Sequence, residues 1–320
     1  MVKLTAEVTR QVDSPTALPI MPWTVDLNAS SSDDLARFYV GILGLVEIAG
    51  EEGARTFSVG ETPVVTVTPA TAHQAMATPA SGLYHLAILV PTRLELVRVL
   101  RRLRERDVPL QGAADHGVSE ALYLADPEGN GVEIYADRPR AAWPRRGGEL
   151  EMFTHQFDFE GVLAELRADG TPWDGLGAGT RLGHVHLKVS DLKRAEDFYR
   201  HVIGFDLRMH FGDSAAFLST GGYHHHVGLN TWESRGRAAP KRGVQGLRQL
   251  SFTVDDAARL RSIEERAANA GMATEVRDGR LMLTDPSGIQ LALAIRSGTV
   301  PDRGRQTEPA RTLEGGPLAR

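Results

Sequence analysis

Two stretches of this chain occur twice. Phe38-Tyr39-Val40-Gly41-Ile42-Leu43-Gly44 matches Phe198-Tyr199-Arg200-His201-Val202-Ile203-Gly204. Further on, Leu124-Ala125-Asp126-Pro127-Glu128-Gly129 matches Leu283-Thr284-Asp285-Pro286-Ser287-Gly288. The offset is about 160 residues both times, which is the mark of a duplicated half. Each half divides again into two units of one plan: an alternating strand, a helix, then three strands joined by Gly-rich turns. His184 to Val189 supplies such a strand, with its apolar residues at every second position. The helix after it opens near Asp191, carries Ala195, Phe198, Tyr199, Val202 and Ile203 on one stripe, and stops at Gly204. The spacing places the four units near 22–70, 82–138, 182–232 and 246–296, with longer helices at 94–107 and 257–270.

The fold expected is therefore α+β, four βαβββ modules in two duplicated halves. The halves are 19–139, with modules 1 and 2, and 181–296, with modules 3 and 4. Residues 1–18 read as a flexible N-terminal segment. Residues 140–180 read as a linker with a short helix around 161–168, and 297–320 as a disordered tail rich in Pro, Gly and Arg.

Composition narrows the function. The 320 residues carry 36 Lys and Arg against 41 Asp and Glu, a net charge of −5, with no basic stripe to meet nucleic acid. No apolar run approaches the ~20 residues that span a bilayer, and the N-terminal stretch lacks an apolar signal core. A membrane partner is not expected. There is no cysteine, so disulfides, thiolate nucleophiles and Fe–S clusters are excluded, and a cytoplasmic location fits. Any metal must be held by His, Asp or Glu.

Such ligands stand at matching points of the repeat. The period-2 strand turns His184, His186 and Lys188 to one face. Module 2 opens on Tyr84-His85-Leu86-Ala87, and aligning the opening strands matches His85 with His184. The same place is Thr24 in module 1 and Gln249 in module 4. Asp126-Pro127-Glu128-Gly129-Asn130 is a strong turn signal, and a hairpin around it sets Tyr123 across from Glu133. In module 4 the glutamate's place is Ala292. The losses are complementary: only modules 2 and 3 together hold a set of two imidazoles and one carboxylate. The expectation is that modules 2 and 3 share one site and that modules 1 and 4 pair with each other. Taken singly, each residue has a plainer reading, as a hydrogen-bonded strand histidine, a surface glutamate or a core tyrosine. The run His224-His225-His226 lies in a strand-like stretch between Gly221-Gly222 and Val227-Gly228-Leu229.

Gly183-His184-Val185-His186-Leu187-Lys188-Val189-Ser190-Asp191, with Phe198-Tyr199 and Gly204-Phe205, resembles the opening strand and helix of the vicinal-oxygen-chelate superfamily. More closely, Gly82-Leu83-Tyr84-His85, the stretch from Asp115-His116-Gly117 to Tyr123, Asp126-Pro127-Glu128-Gly129-Asn130-Gly131-Val132-Glu133 and Gly221-Gly222-Tyr223-His224-His225-His226 resemble extradiol ring-cleavage dioxygenases of the catechol 2,3-dioxygenase type. The resemblance runs from about Pro22 to Ile295. It implies mixed sheets curling around a metal-containing cavity, with Fe(II) as cofactor and Mn(II) as the alternative. It implies His85, Glu133 and His184 as ligands, Tyr123 as a hydrogen-bonding tyrosine, His116 as an acid–base histidine, and His225 or His226 facing oxygen. His186 and His224 are assigned to substrate contact, with His186 also open as an alternative ligand. The substrates implied are a catecholic compound and O2, cleaved beside the diol, by a homo-oligomer. This chain departs from many such enzymes, whose metal lies in the last two modules. Two other readings remain open: a glyoxalase-like isomerase with Ni(II) or Zn(II), which would want a second carboxylate where module 3 has histidines, and a non-catalytic ligand-binding protein.

Overall fold

In the computed structural model the residues described are 18–50, 53–72 and 80–296. The flexible segment expected at 1–18 and the tail expected at 297–320 fall outside them, Leu18 excepted. Module 1 contributes β1 (Ile20–Ala29), α1 (Ser32–Ala36), β2 (Val46–Ala49), β3 (Arg55–Val59) and β4 (Thr62–Pro69). Module 2 contributes β5 (Gly82–Val90), α2 (Arg93–Glu105), β6 (Gly112–Asp115), β7 (Ser119–Ala125) and β8 (Gly131–Asp137). The connecting residues form β9 (Arg145–Arg146), β10 (Glu149–Leu150), β11 (His155–Gln156) and α3 (Phe159–Ala168). Module 3 contributes β12 (Arg181–Lys188), α4 (Leu192–Asp197), β13 (Asp206–Phe211), β14 (Ala215–Ser219) and β15 (Val227–Asn230). Module 4 contributes β16 (Gly246–Val254), α5 (Ala257–Asn269), β17 (Glu275–Arg277), β18 (Arg280–Thr284) and β19 (Gln290–Ile295).

The modules pair as the ligand losses require. One sheet runs β17-β18-β19-β16-β1-β4-β3-β2 and joins modules 4 and 1; the other runs β11-β6-β7-β8-β5-β12-β15-β14-β13 and joins modules 2 and 3. Both seams are antiparallel, β1 with β16 and β5 with β12. The sheets back onto each other through one apolar core that includes Val25, Leu27, Leu250 and Phe252 from the first and Leu86, Ile88, Val185 and Leu187 from the second. Their other faces are where polar side chains collect.

The module 3 helix starts and stops where the sequence predicts, but winds differently in its last turns. Asp191 caps α4 by accepting from the Arg194 amide, and Gly204 closes the helical run at φ +104°. Between them Phe198–Ile203 winds as a π-helix, and so does Arg37–Ile42 after α1. The wider turn leaves carbonyls unused at its end. An arginine of the following module takes them: Arg102 bonds Ile42 O at 3.2 Å and Gly41 O at 2.8 Å, and Arg266 bonds Val202 O at 2.8 Å and Ile203 O at 3.1 Å.

The connecting segment is not the plain linker that its composition predicts. Its helix is where expected, but β11 extends the second sheet by pairing with β6, His155 opposite Asp115. Arg93 of α2 binds Glu120, Asp158 and Glu165, and Arg98 holds Asp169 at 2.9 Å, fastening the segment to module 2. The histidine run also differs from expectation. His224–His226 lie in the bends before β15, which begins only at Val227.

Candidate metal centre

Pairing across the second sheet sorts side chains into rows. Tyr123 on β7 faces Glu133 on β8; Glu133 is in register with Ala87 on β5, and Ala87 with His184 on β12. All four therefore project to one side of the sheet. Ala87 is fully buried and ends at its methyl group, so Glu133 and His184 reach each other across it. His85, two residues back on β5, joins them from the next row. His85 Nε2 stands 3.0 Å and His184 Nε2 3.2 Å from the same atom, Glu133 Oε2. His85, Glu133 and His184 form the one cluster of three such groups among the described residues whose ligand atoms all lie within 4.8 Å of each other.

The chemistry of this cluster fits a metal ion. All three side chains are buried. His85 Nε2 makes no hydrogen bond despite its nearness to Glu133, which is the situation of a lone pair aimed at a common point. Burial pushes the His184 imidazole down to about 4, against the pull of the Glu133 charge. Burial opposes the Glu133 charge in turn, but His184 and His85 outweigh it and hold that carboxyl well below its usual range. At neutral pH His184 is neutral and Glu133 ionised, so neither must release a proton to bind an ion. His184 Nδ1 has no hydrogen-bond partner. The ring is set by packing, with the His225 ring centre 4.1 Å away and the Tyr135 ring centre 4.7 Å away.

The cluster opens on a cavity of about 650 Å³ whose lining includes His85, Glu133, His116, Tyr123, His186 and His225. Tyr123 and His116 meet at 2.7 Å between the phenol oxygen and Nε2. The other ring nitrogen of His116, Nδ1, is 2.8 Å from the Phe153 carbonyl, which can only accept. In the neutral ring the proton therefore sits on Nδ1, and the Tyr123 O–H donates to Nε2. Burial and the Glu133 charge raise the Tyr123 pKa well above its usual value, so the phenol keeps its proton.

Of the three consecutive histidines, His225 lines the cavity; His224 and His226 do not. His226 lies behind the site, its Nδ1 accepting from the Thr220 amide at 3.2 Å. His224, assigned from the sequence to substrate contact, is fully buried and sits between Asp137 and His225. Its Nε2 is 2.9 Å from Asp137 Oδ1 and its Nδ1 2.8 Å from His225 Nδ1. The carboxylate accepts, so Nε2 of His224 carries the proton. Its Nδ1 then accepts from His225 Nδ1–H, which leaves His225 Nε2 as a lone pair for an occupant of the cavity. Tyr223 donates to the other oxygen of Asp137 at 2.8 Å, fixing the far end of the chain.

His186 sits opposite His85 in the ladder and lines the cavity, outside the ligand cluster. Its ring lies over Gly228, where a Cβ would stand 2.9 Å from it, so the place on β15 must be glycine. Several lining residues escaped the sequence reading. Met152, Phe153 and Thr154 come from the connecting segment, and Lys188, Phe217 and Trp232 from module 3. An apolar Met152-Phe153 pair in a polar connector was the available signal for the first group. Lys188 already shared its strand face with His184.

A family model described as the Glyoxalase/Bleomycin resistance protein/Dioxygenase superfamily matches residues 21–134 and 181–293. A catechol-2,3-dioxygenase of Bacillus subtilis (strain 168) is 43% identical over 221 residues, which is 67% of this chain and 75% of that protein. A biphenyl-2,3-diol 1,2-dioxygenase 3 of Rhodococcus globerulus is 39% identical over a shorter stretch of 61 residues, 19% of this chain and 32% of that one. Among solved structures, glyoxalase I from Zea mays is similar with a TM-score of 0.53 at 15% identity, over 86% of this chain and 92% of that chain, a likeness of fold alone.

Proposed function

This chain belongs to the Glyoxalase/Bleomycin resistance protein/Dioxygenase superfamily, and from that premise we propose that it is an Fe(II)-dependent extradiol dioxygenase that opens the ring of a catecholic substrate with O2. The observation that carries the reading is the meeting of two histidines and one glutamate on the wall of a large cavity. Two imidazoles and one carboxylate on one side of an ion, with the other side open, is the ligand set of non-haem Fe(II) oxygenases. His85, His184 and Glu133 would hold the ion, with Mn(II) as the alternative. When bound, it would supply an anchor for both oxygens of the diol and a centre at which O2 is reduced.

The chain's own residues account for the rest. Tyr123 keeps its proton and donates it in a hydrogen bond to His116 Nε2, so a diol oxygen arriving there can take over that donor and free Nε2 as a base. The Asp137–His224–His225 chain holds His225 Nε2 ready to take a proton on the opposite wall. Phe153, Phe217 and Met209 give an apolar surface to the flat ring and exclude water from it. Val46 and Ile48, exposed on the edge strand β2, support a homo-oligomer, which light scattering would test. No helix among the described residues is long and apolar enough to cross a membrane, which leaves strands unaddressed.

The test is to load the protein anaerobically with Fe(II) or Mn(II), measure bound metal, then admit O2 with a panel of substituted catechols. One metal per chain and a visible absorbance from ring-opened product are expected. Stoichiometric iron with no product from any catechol would overturn the proposal.

A further inference from the structure

We infer that the substrate carries a carboxylate at the end of its ring substituent and that Lys188 binds it. The inference rests on the ring-cleavage reading and deepens it. The cavity, at about 650 Å³, falls in the range of pockets that enclose drug-sized ligands and has far more room than a bare dihydroxybenzene fills.

The extra room is chemically ordered. On β12, His184, His186 and Lys188 share one face, each a further row from Glu133, with steps of roughly 7 Å. His184 belongs to the metal cluster. His186 follows, its buried Nε2 without a hydrogen-bond partner, its ring packed edge-on against Tyr84 at 5.1 Å and Trp232 at 5.4 Å, which also meet each other at 5.2 Å. Lys188 ends the series. It is only 7% exposed and lines the cavity. A buried ammonium is costly without an anion beside it. The nearest carboxylate found, Glu233 Oε2, is 3.6 Å from Nζ, beyond hydrogen-bonding distance, and the Glu233 side chain is 59% exposed. Opposite Lys188 in the ladder, Asn230 Nδ2 is a second buried donor that lacks an acceptor. An anion reaching this row would meet a cation whose present partner is loosely held and easily turned to solvent. A diol at the metal cluster, an aromatic wall of Tyr84, His186 and Trp232, and a cation beyond together describe a catechol with an acidic side chain.

The experiment measures anaerobic binding of 3,4-dihydroxyphenylacetate, 4-methylcatechol and dopamine to the Fe(II)-loaded protein by calorimetry. The acid is expected to bind about tenfold or more tighter than the other two. Lys188→Glu should reverse the order of acid and amine. Glu233→Gln, at an exposed side chain, should tighten the acid severalfold by removing the competing charge. Equal affinities in the unaltered protein, an acid preference that survives Lys188→Glu, or no response to Glu233→Gln would each overturn the inference. Cleavage of 4-methylcatechol without an acid preference overturns this inference alone. Tight acid binding with no ring opening on admitting O2 overturns the ring-cleavage reading alone.

Discussion

Ala87 has no functional group, yet the metal cluster depends on it. It lies in the ladder between Glu133 and His184, and its methyl leaves the gap across which they meet. Ala87→Leu should place a branched side chain in that gap and abolish metal binding with all three ligands intact, read as bound iron per chain. Glu133→Ala should also lose the metal, and retention of stoichiometric iron would remove Glu133 from the ligand set. Asp137 acts at longer range. In Asp137→Asn the amide nitrogen can point at His224 Nε2 and reverse the donor order through His225 Nδ1, withdrawing the lone pair from the cavity. A fall in kcat on the order of 10²-fold with little change in KM is expected, since proton transfer by a placed side chain is worth roughly that much or more. The three residues of the cluster were legible because each was the one able to bind a metal at its point of the repeat, where the other modules have Thr24, Gln249 or Ala292. Ala87 and Asp137 were not, because their roles exist only between strands.

At the scale of elements, the two repeated motifs turn out to be the two sides of one contact. Tyr39 of the first motif donates to Asp126 of the second at 3.2 Å, and Tyr199 donates to Asp285 at 3.3 Å. The sequence shows both motifs twice but not that they touch. Each aspartate is also the acceptor that shapes its own turn; Asp285 Oδ1 takes the amides of Ser287 and Ile289, both at 2.8 Å. Burial pushes the Asp285 carboxyl up to about 6 from 3.8, against those hydrogen bonds. Its proton is thus held more tightly in the folded state than in the unfolded one. The folded state gains from this group below about pH 4, and the gain disappears as the pH rises to about 6, a change on the order of 3 kcal/mol. Asp285→Asn should flatten that part of the stability profile, measured as urea midpoints at pH 4 and pH 7 relative to the unaltered protein. Tyr199→Phe should cost about 1 kcal/mol in the same assay. The π-turns that follow α1 and α4 were not legible, because an apolar stripe over two turns looks the same whether the second turn is α or π.

At the scale of the whole molecule, neither half of the duplication is a complete structure. The sheet seams run between the halves, β1 against β16 and β5 against β12, while the tyrosine–aspartate and arginine–carbonyl contacts run within each half. Residues 18–139 alone would have β1 and β5 as unpaired edges and only two of the three ligands. Expressed alone, this half should bind no stoichiometric iron and should associate through its open strands; co-expression with residues 140–296 should restore one metal per pair, read by light scattering with metal analysis. Periodicity, turn residues and the duplication, all local in the chain, were enough to mark four modules, their helices and the three residues that the structure clusters. The complementary losses at Thr24, Gln249 and Ala292 even carried the pairing of modules, since a metal needs all its ligands at one point. What required the tertiary structure was everything that arises between strands distant in sequence: the register that sets Ala87 between Glu133 and His184, the turning of His225 alone toward the cavity, and the part that Met152, Phe153 and Thr154 of the connecting segment take in its lining. Those depend on which side chains face each other across a sheet, and neighbours of that kind leave no period in a sequence.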